Sequence, residues 1–285
     1  MNKPPLNSSA QGHNTPLLLP QPKQVDLLAP FRWLKAGARD MQQAPWLGSL
    51  HGLAIALFGG TLLLLAHDRF WLLAGAFSGF LVVAPVLATS LYAISRALER
   101  HEEVNFSLVI KTWTRWQHSR FVVRGGYWCL VRFGLLLAMA GTGWVLTSAA
   151  LITLMAPAPI NTPADFFRHV VLAPDHYLFE LWLTMGGLMA APIFASSVIA
   201  MPLLLDRRVN VLQAVLSSWQ VVLTNPAPLA VWAAIIMLLT ALAFGTFLVG
   251  FVFLLPLIGH ASWHAYKDLL DTQGLVERLP PEGVI

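Results

Sequence analysis

The chain has 285 residues, 56% of them hydrophobic and only 11% charged, with a mean hydropathy of +0.64; that leaves too little polar surface for a water-soluble globule and places it in a bilayer. Its net charge of +4 would suit a nucleic-acid partner only if the basic residues formed one continuous face. They lie instead between apolar segments, which points to anionic lipid headgroups as the partner and to no nucleic acid.

Residues 1–30 are polar and proline-rich, with no apolar run longer than Leu17 to Leu19, and read as a flexible tail rather than a signal peptide. FRWLKAGARDMQQ follows, with Phe31, Leu34, Ala38 and Met41 on one helical face. A helix needs about 20 apolar residues to cross ~30 Å of hydrocarbon. Residues 47–66 and 70–95 meet that length and are separated only by His67, Asp68 and Arg69, so they form a tight hairpin. Next comes a second amphipathic stretch, VNFSLVIKTWTRW, with Phe106, Val109, Ile110, Trp113 and Trp116 apolar and Asn105 where an N-cap belongs. A third span covers 131–156 and a fourth 178–205, joined by a proline-rich outer loop, 157–177. VNVLQAVLSSWQVVL is the third amphipathic stretch, carrying Leu212, Val215, Leu216, Trp219, Val222 and Leu223 behind Asn210. From Leu229 to Tyr266 there is no Asp, Glu, Lys or Arg; one straight helix of that length would measure ~57 Å. That is nearly two bilayer cores, so the stretch divides into spans at 229–246 and 248–266, turning near Gly245 to Gly250. Residues 272–285 look like a second short tail.

The fold expected is therefore all-α and polytopic, with a membrane domain over 31–271, six transmembrane helices and three amphipathic helices on the cytoplasmic side. Cytoplasmic segments collect Lys and Arg. With both termini inside, only Arg69 and Arg168 of the 18 basic residues fall outside, which agrees with six crossings. An amphipathic helix precedes spans one, three and five, which implies an internal repeat. Its first and last hairpins align best: APVLATSLYAISRALE from Ala84 lies against LPLIGHASWHAYKDLL from Leu255, pairing Pro85 with Pro256, Tyr92 with Trp263 and Arg96 with Lys267.

No span core holds Asp, Glu, Lys or Arg, which argues against an ion-coupled transporter. The single cysteine, Cys129, excludes an intrachain disulfide framework, and P-loop, G-x-S-x-G and H-E-x-x-H motifs are absent. Intramembrane chemistry rests on His51, His260 and His264. The last two share a helix face about 6 Å apart along the axis, a spacing that permits joint ligation of a transition metal or haem iron, with His51 a third nitrogen if spans one and six touch. The same residues equally serve as hydrogen-bonding groups between helices. Three readings stay open: a non-enzymatic scaffold or interaction module, favoured because catalytic motifs are lacking; a metal- or haem-binding subunit; and a carrier for an uncharged or lipidic solute.

The segments MPLLLDRRVNVLQAV, NPAPL and above all PLIGHASWHAYKDLL resemble the bacterial integral membrane family catalogued as domain of unknown function 2189. FRWLKAGARDMQQAP and PVLATSLYAISRALE resemble its N-terminal half, so the resemblance covers roughly 31–271, and Gly259 to Tyr266 is its most specific part. It implies a multi-span inner-membrane protein with no established activity.

Overall fold

The computed structural model describes residues 19–118, 128–173 and 177–278, leaving aside the side chains of 115–118. Most of the expected N-terminal tail, the end of the C-terminal one and the Trp116 side chain lie outside the described residues.

Helix α1 (Ala29–Gln43) and α2 (Pro45–Leu65) are separated by Ala44 alone. Each has proline in its first turn, where the missing N–H costs nothing. Helices α3 (Phe70–Leu87) and α4 (Thr89–Glu99) continue one another across Ala88. Pro85 removes a backbone donor inside α3, and the Thr89 hydroxyl donates to the Val86 carbonyl at 2.6 Å beside the break. Helix α5 (Phe106–His118) precedes α6 (Trp128–Met155). The loop after α6 carries α7 (Pro163–Phe166), started by a Thr162/Asp165 capping box, and a π-helical turn, Phe167–Val171. Helices α8 (Leu178–Ser197) and α9 (Ala200–Asp206) form a second broken pair, again with a proline, Pro192, before the break. Helix α10 (Val211–Thr224) opens on an Asn210/Gln213 capping box, and Asn225 links it to α11 (Pro226–Gly245). Residues 246–250 turn the chain into α12 (Phe251–Leu269), where Pro256 sits without interrupting the helix.

Among the described residues, five helical stretches are long and apolar enough to cross a membrane: Pro45–Leu65, Phe70–Glu99, Trp128–Met155, Leu178–Asp206 and Pro226–Gly245. Helix α12, the sixth span expected, is not among them. Its first half is apolar, but its second half carries His260, Ser262, His264, Lys267 and Asp268. Protein shields that half: Gly259 to Trp263, Ala265, Tyr266 and Leu269 are buried, with α1, α2 and α4 packed around them.

Glycine makes this packing close enough. A Cβ on Gly37 of α1 would lie 2.6 Å from the Ala261 amide nitrogen, and one on Gly52 of α2 would collide with the Phe251 carbonyl. The main core gathers at this end of the bundle, from α1, α4, α9, α10 and the second half of α12. At the opposite end, Phe70 and Trp71 pack with Phe166 and Trp182 under the loop between α6 and α8. Between the ends, large apolar side chains such as Leu135, Leu188 and Leu238 are exposed, the surface hydrocarbon would cover.

The ends of the chain depart from the expected tails. Gln21–Pro22 (β1) pairs antiparallel with Leu270–Asp271 (β2), and the Val25 amide donates to Asn225 Oδ1 at 2.9 Å. The Arg208 amide donates to the Val276 carbonyl at 2.9 Å, and Arg278 is buried. These backbone and amide bonds tie residues 21–25 and 270–278 to the bundle, although 21–25 lie in the stretch read from composition as a flexible tail and 272–278 in the second short tail.

The amphipathic helices α1 and α10 each bury one face and leave another outward. Helix α1 buries Trp33, Gly37 and Asp40 against α12, while Phe31 stays exposed. Helix α10 buries Ala214, Ser217, Ser218 and Val221 and exposes Leu212, Leu216, Trp219 and Leu223. Small and polar residues thus face the protein because they allow close approach, and an apolar stripe is left outward.

Candidate functional site

Where α4, α9 and the second half of α12 meet, the core becomes polar. Asp206, the last residue of α9, is fully buried. An unpaired carboxylate there would cost several kcal/mol, so the fold surrounds it with donors. It accepts from the Tyr266 hydroxyl at 2.8 Å, Arg100 Nη2 at 3.0 Å and Arg207 Nε at 3.0 Å, and its backbone carbonyl accepts from the Arg278 amide at 2.8 Å. Glu277 lies 3.3 Å from Arg100 and 3.4 Å from Arg207, closing the group on its outer side. Next to it, buried Arg96 donates to the Leu205 carbonyl at 2.8 Å, satisfying one of the last acceptors of α9.

A second group ties α12 to α4 and α1. Glu99 accepts from Trp263 Nε1 at 2.9 Å and pairs with Lys267 Nζ at 3.0 Å, and that ammonium lies 5.9 Å from the centre of the Trp263 ring. Trp33 Nε1 donates to Asp268 at 2.8 Å, while its ring meets Trp232 edge-on at 5.7 Å.

The three sequence-predicted histidines belong to the same region, each held by a different partner. His51 Nδ1 lies 2.6 Å from the Leu47 carbonyl, which can only accept, so Nδ1 carries the proton and Nε2 accepts from the Ser90 hydroxyl at 2.5 Å. His264 Nε2 donates to the Asp40 carboxylate at 2.8 Å, near the rim. His260 is fully buried with Nδ1 2.8 Å from the Ser95 hydroxyl. Among the described residues its Nε2 is buried without a hydrogen-bond partner. It faces α2 at Gly48, where a Cβ would lie 3.5 Å from it. Among the described residues, however, no group of three or more His, Cys, Asp or Glu is disposed to hold a metal ion.

Sequence reasoning missed the carboxylate at the centre. Its signal is slight: Asp206 ends the apolar run of α9 and stands immediately before Arg207 and Arg208. Glu99, Tyr266 and Glu277 carry no motif at all. Small residues of the spans play unequal parts. Gly186 and Gly141 abut Trp144 and Val82, whereas Gly143 and Gly187 face open space. Ser196 accepts from Trp219 Nε1 at 3.0 Å and Ser197 donates to the Ile193 carbonyl at 2.8 Å, both structural roles. An open groove of about 340 Å³ runs between α3 and α6, lined by Gly75, Gly79, Gly141 and Thr142 among others.

Residues 72–206 match the family model described as a predicted integral membrane protein, DUF2189. The match begins two residues into α3 and ends on Asp206; it lies inside the wider stretch that carries the resemblance, and Gly259 to Tyr266 falls beyond it. None of the curated proteins and none of the solved structures matches the chain. Over residues 72–206 this apolar helical chain is thus similar to DUF2189, a family of predicted integral membrane proteins.

Proposed function

We propose that the protein is a non-enzymatic scaffold or interaction module of a bacterial inner membrane, crossing it six times with both termini cytoplasmic. The observation that carries this reading is the saturation of Asp206. Three side-chain donors bind one buried carboxylate and a backbone amide binds the main-chain carbonyl of the same residue, an arrangement that holds helices in place and leaves no carboxylate oxygen presented to a substrate. The sixth crossing is supported by α12, which follows α11 after the short turn 246–250 and whose polar half is buried against protein.

A threefold repeat supports the same view. Ala191-Pro192-Ile193-Phe194-Ala195-Ser196 stands in register with Ala84-Pro85-Val86-Leu87-Ala88-Thr89 and with Leu255-Pro256-Leu257-Ile258-Gly259-His260. The helix preceding each hairpin packs on the proline-bearing helix of another: α5 on α4, α10 on α8 and α9, and α1 on α12. The three units interlock as a ring whose proline-bearing ends carry the polar groups. The outward stripes, Phe106, Ile110 and Trp113 on α5 and Leu212, Leu216, Trp219 and Leu223 on α10, suit the headgroup boundary of the cytoplasmic leaflet.

Photo-crosslinking residues substituted at exposed Leu223 and Leu238 test the scaffold reading in cells. It predicts protein adducts of discrete size at one or both positions; adducts to lipid alone would overturn it. A second reading, a metal- or haem-binding subunit, rests on the unpartnered His260 Nε2. Stoichiometric metal or a Soret band in the purified protein, lost in His260→Ala, would support it; clean metal analysis without a Soret band would end it.

A further inference from the structure

The end of α12 opens into a pocket of about 360 Å³ that neither the polar helix contacts nor the spans account for. Three cations line it from three separate parts of the chain: Lys23 beside β1, Arg207 after α9 and Lys267 in the last turn of α12. Thr272 and Gly274, from the turn after β2, complete the wall together with Asp271.

Arg207 is fixed before any ligand arrives, through Asp206, Glu277 and a bond from Nη1 to the Leu275 carbonyl at 3.1 Å. Lys267 is held by Glu99. The Lys23 ammonium makes no ion pair among the described residues and is exposed, while the backbone around it is anchored by its amide donating to the Leu269 carbonyl at 2.8 Å and its carbonyl accepting from Asn225 at 2.9 Å. The one carboxylate in the wall, Asp271, is turned to the Gln273 amide at 2.9 Å. Gly274 has φ 83, a left-handed conformation of the kind that turns backbone N–H groups toward one side and makes concave anion cradles. A preset guanidinium, two ammonium groups and a hydroxyl around a cavity larger than a tetrahedral anion are the requirements of phosphate recognition.

We propose that this pocket is a phosphate-binding site, occupied by a phosphomonoester or inorganic phosphate. The chemistry is shared by a free phosphate and by the headgroup of a phosphatidic-acid-like lipid. It does not depend on the scaffold reading, since a carrier or a redox subunit would present the same pocket.

The test is protection of Lys23 from amine acylation, read by mass spectrometry on the full chain. In detergent the probe is inorganic phosphate against chloride at equal ionic strength; in nanodiscs it is phosphatidic acid in phosphatidylcholine against phosphatidylcholine alone. Protection by inorganic phosphate assigns a free ligand, and protection only in phosphatidic-acid nanodiscs assigns a headgroup. Lys267→Gln removes one cation and should raise the concentration needed for half protection roughly tenfold. Thr272→Val, which leaves every ion pair in place, should raise it severalfold, and it separates loss of binding from loss of fold. Acylation of Lys23 that neither probe slows would overturn the proposal.

Discussion

Replacing Asp206 by alanine removes the shared acceptor of Tyr266, Arg100 and Arg207, whose bonds to it measure 2.8, 3.0 and 3.0 Å. Asp206 has 1% of its side chain exposed, and those of Arg100 and Arg207 are 22% and 12% exposed, so water replaces little of what is lost. Breaking a buried pair by deleting one partner costs about 3–5 kcal/mol, and the two arginines would then share Glu277, with Arg207 also bonded to the Leu275 carbonyl. At about 2–4 °C per kcal/mol for a chain of this size class, the unfolding midpoint should fall by roughly 6–20 °C. Tryptophan fluorescence of the detergent-solubilised protein during heating would follow it. Asp26→Ala is the control: its pair with Arg32 is 60% and 53% exposed, so water screens it and its loss should leave the midpoint nearly unchanged. Equal midpoints for the two variants would refute the claim that the buried carboxylate holds the helix ends together.

Gly52→Ala should reduce the yield of folded protein sharply, because the added Cβ meets the backbone of Phe251 and Val252, which cannot rotate away; Gly79→Ala, with nothing within 4 Å, should leave yield unchanged. Asp40→Ala strands the His264 Nε2–H and should cost about 1–3 kcal/mol in the same melting assay, whereas His264→Ala together with Asp40→Ala should cost less than the sum of the single changes. Asp165 gives a pH test. The Thr162 side chain and the Asn161 amide hold its carboxyl below the ordinary value. A depressed folded pKa means that the capping box is stabilised above the unfolded carboxylate pKa and weakened as pH falls through the folded one. The Asn161 and Thr162 amides, which donate to Asp165 Oδ2 at 3.1 and 2.9 Å, should therefore keep their exchange protection from neutral pH down to about pH 4 and lose it below. Protection that disappears well above that range would contradict the assignment.

The helices were legible because bilayer length and the absence of charge are read directly from sequence. Even the turn of α11 into α12 falls at residues 246–250, inside the glycine-bounded stretch that the length argument selects. Pro85 and Pro192 precede breaks, whereas Pro256 lies in a continuous helix that α1, α2 and α4 clamp on several sides. What was hidden is which residues dock the amphipathic helices: α1 packs where Gly37 permits backbone approach and where Asp40 finds His264. The histidines were found, but their partners Ser90, Ser95 and Asp40 lie on other helices and leave no local trace. Asp206 was hidden for the same reason, since Arg100, Tyr266 and Glu277 reach it from distant parts of the chain.

The most direct measurement for the account is the side of the membrane on which the two ends of the chain lie. With Cys129 replaced by alanine, Gln24→Cys, Asn161→Cys and Gln273→Cys can be labelled one at a time with a membrane-impermeant thiol reagent, in intact cells and in inverted vesicles. Six crossings predict that positions 24 and 273 react together from the cytoplasmic side and position 161 from the other. Labelling of 24 and 273 from opposite sides would mean that α12 does not return through the bilayer, and would contradict the six-crossing arrangement.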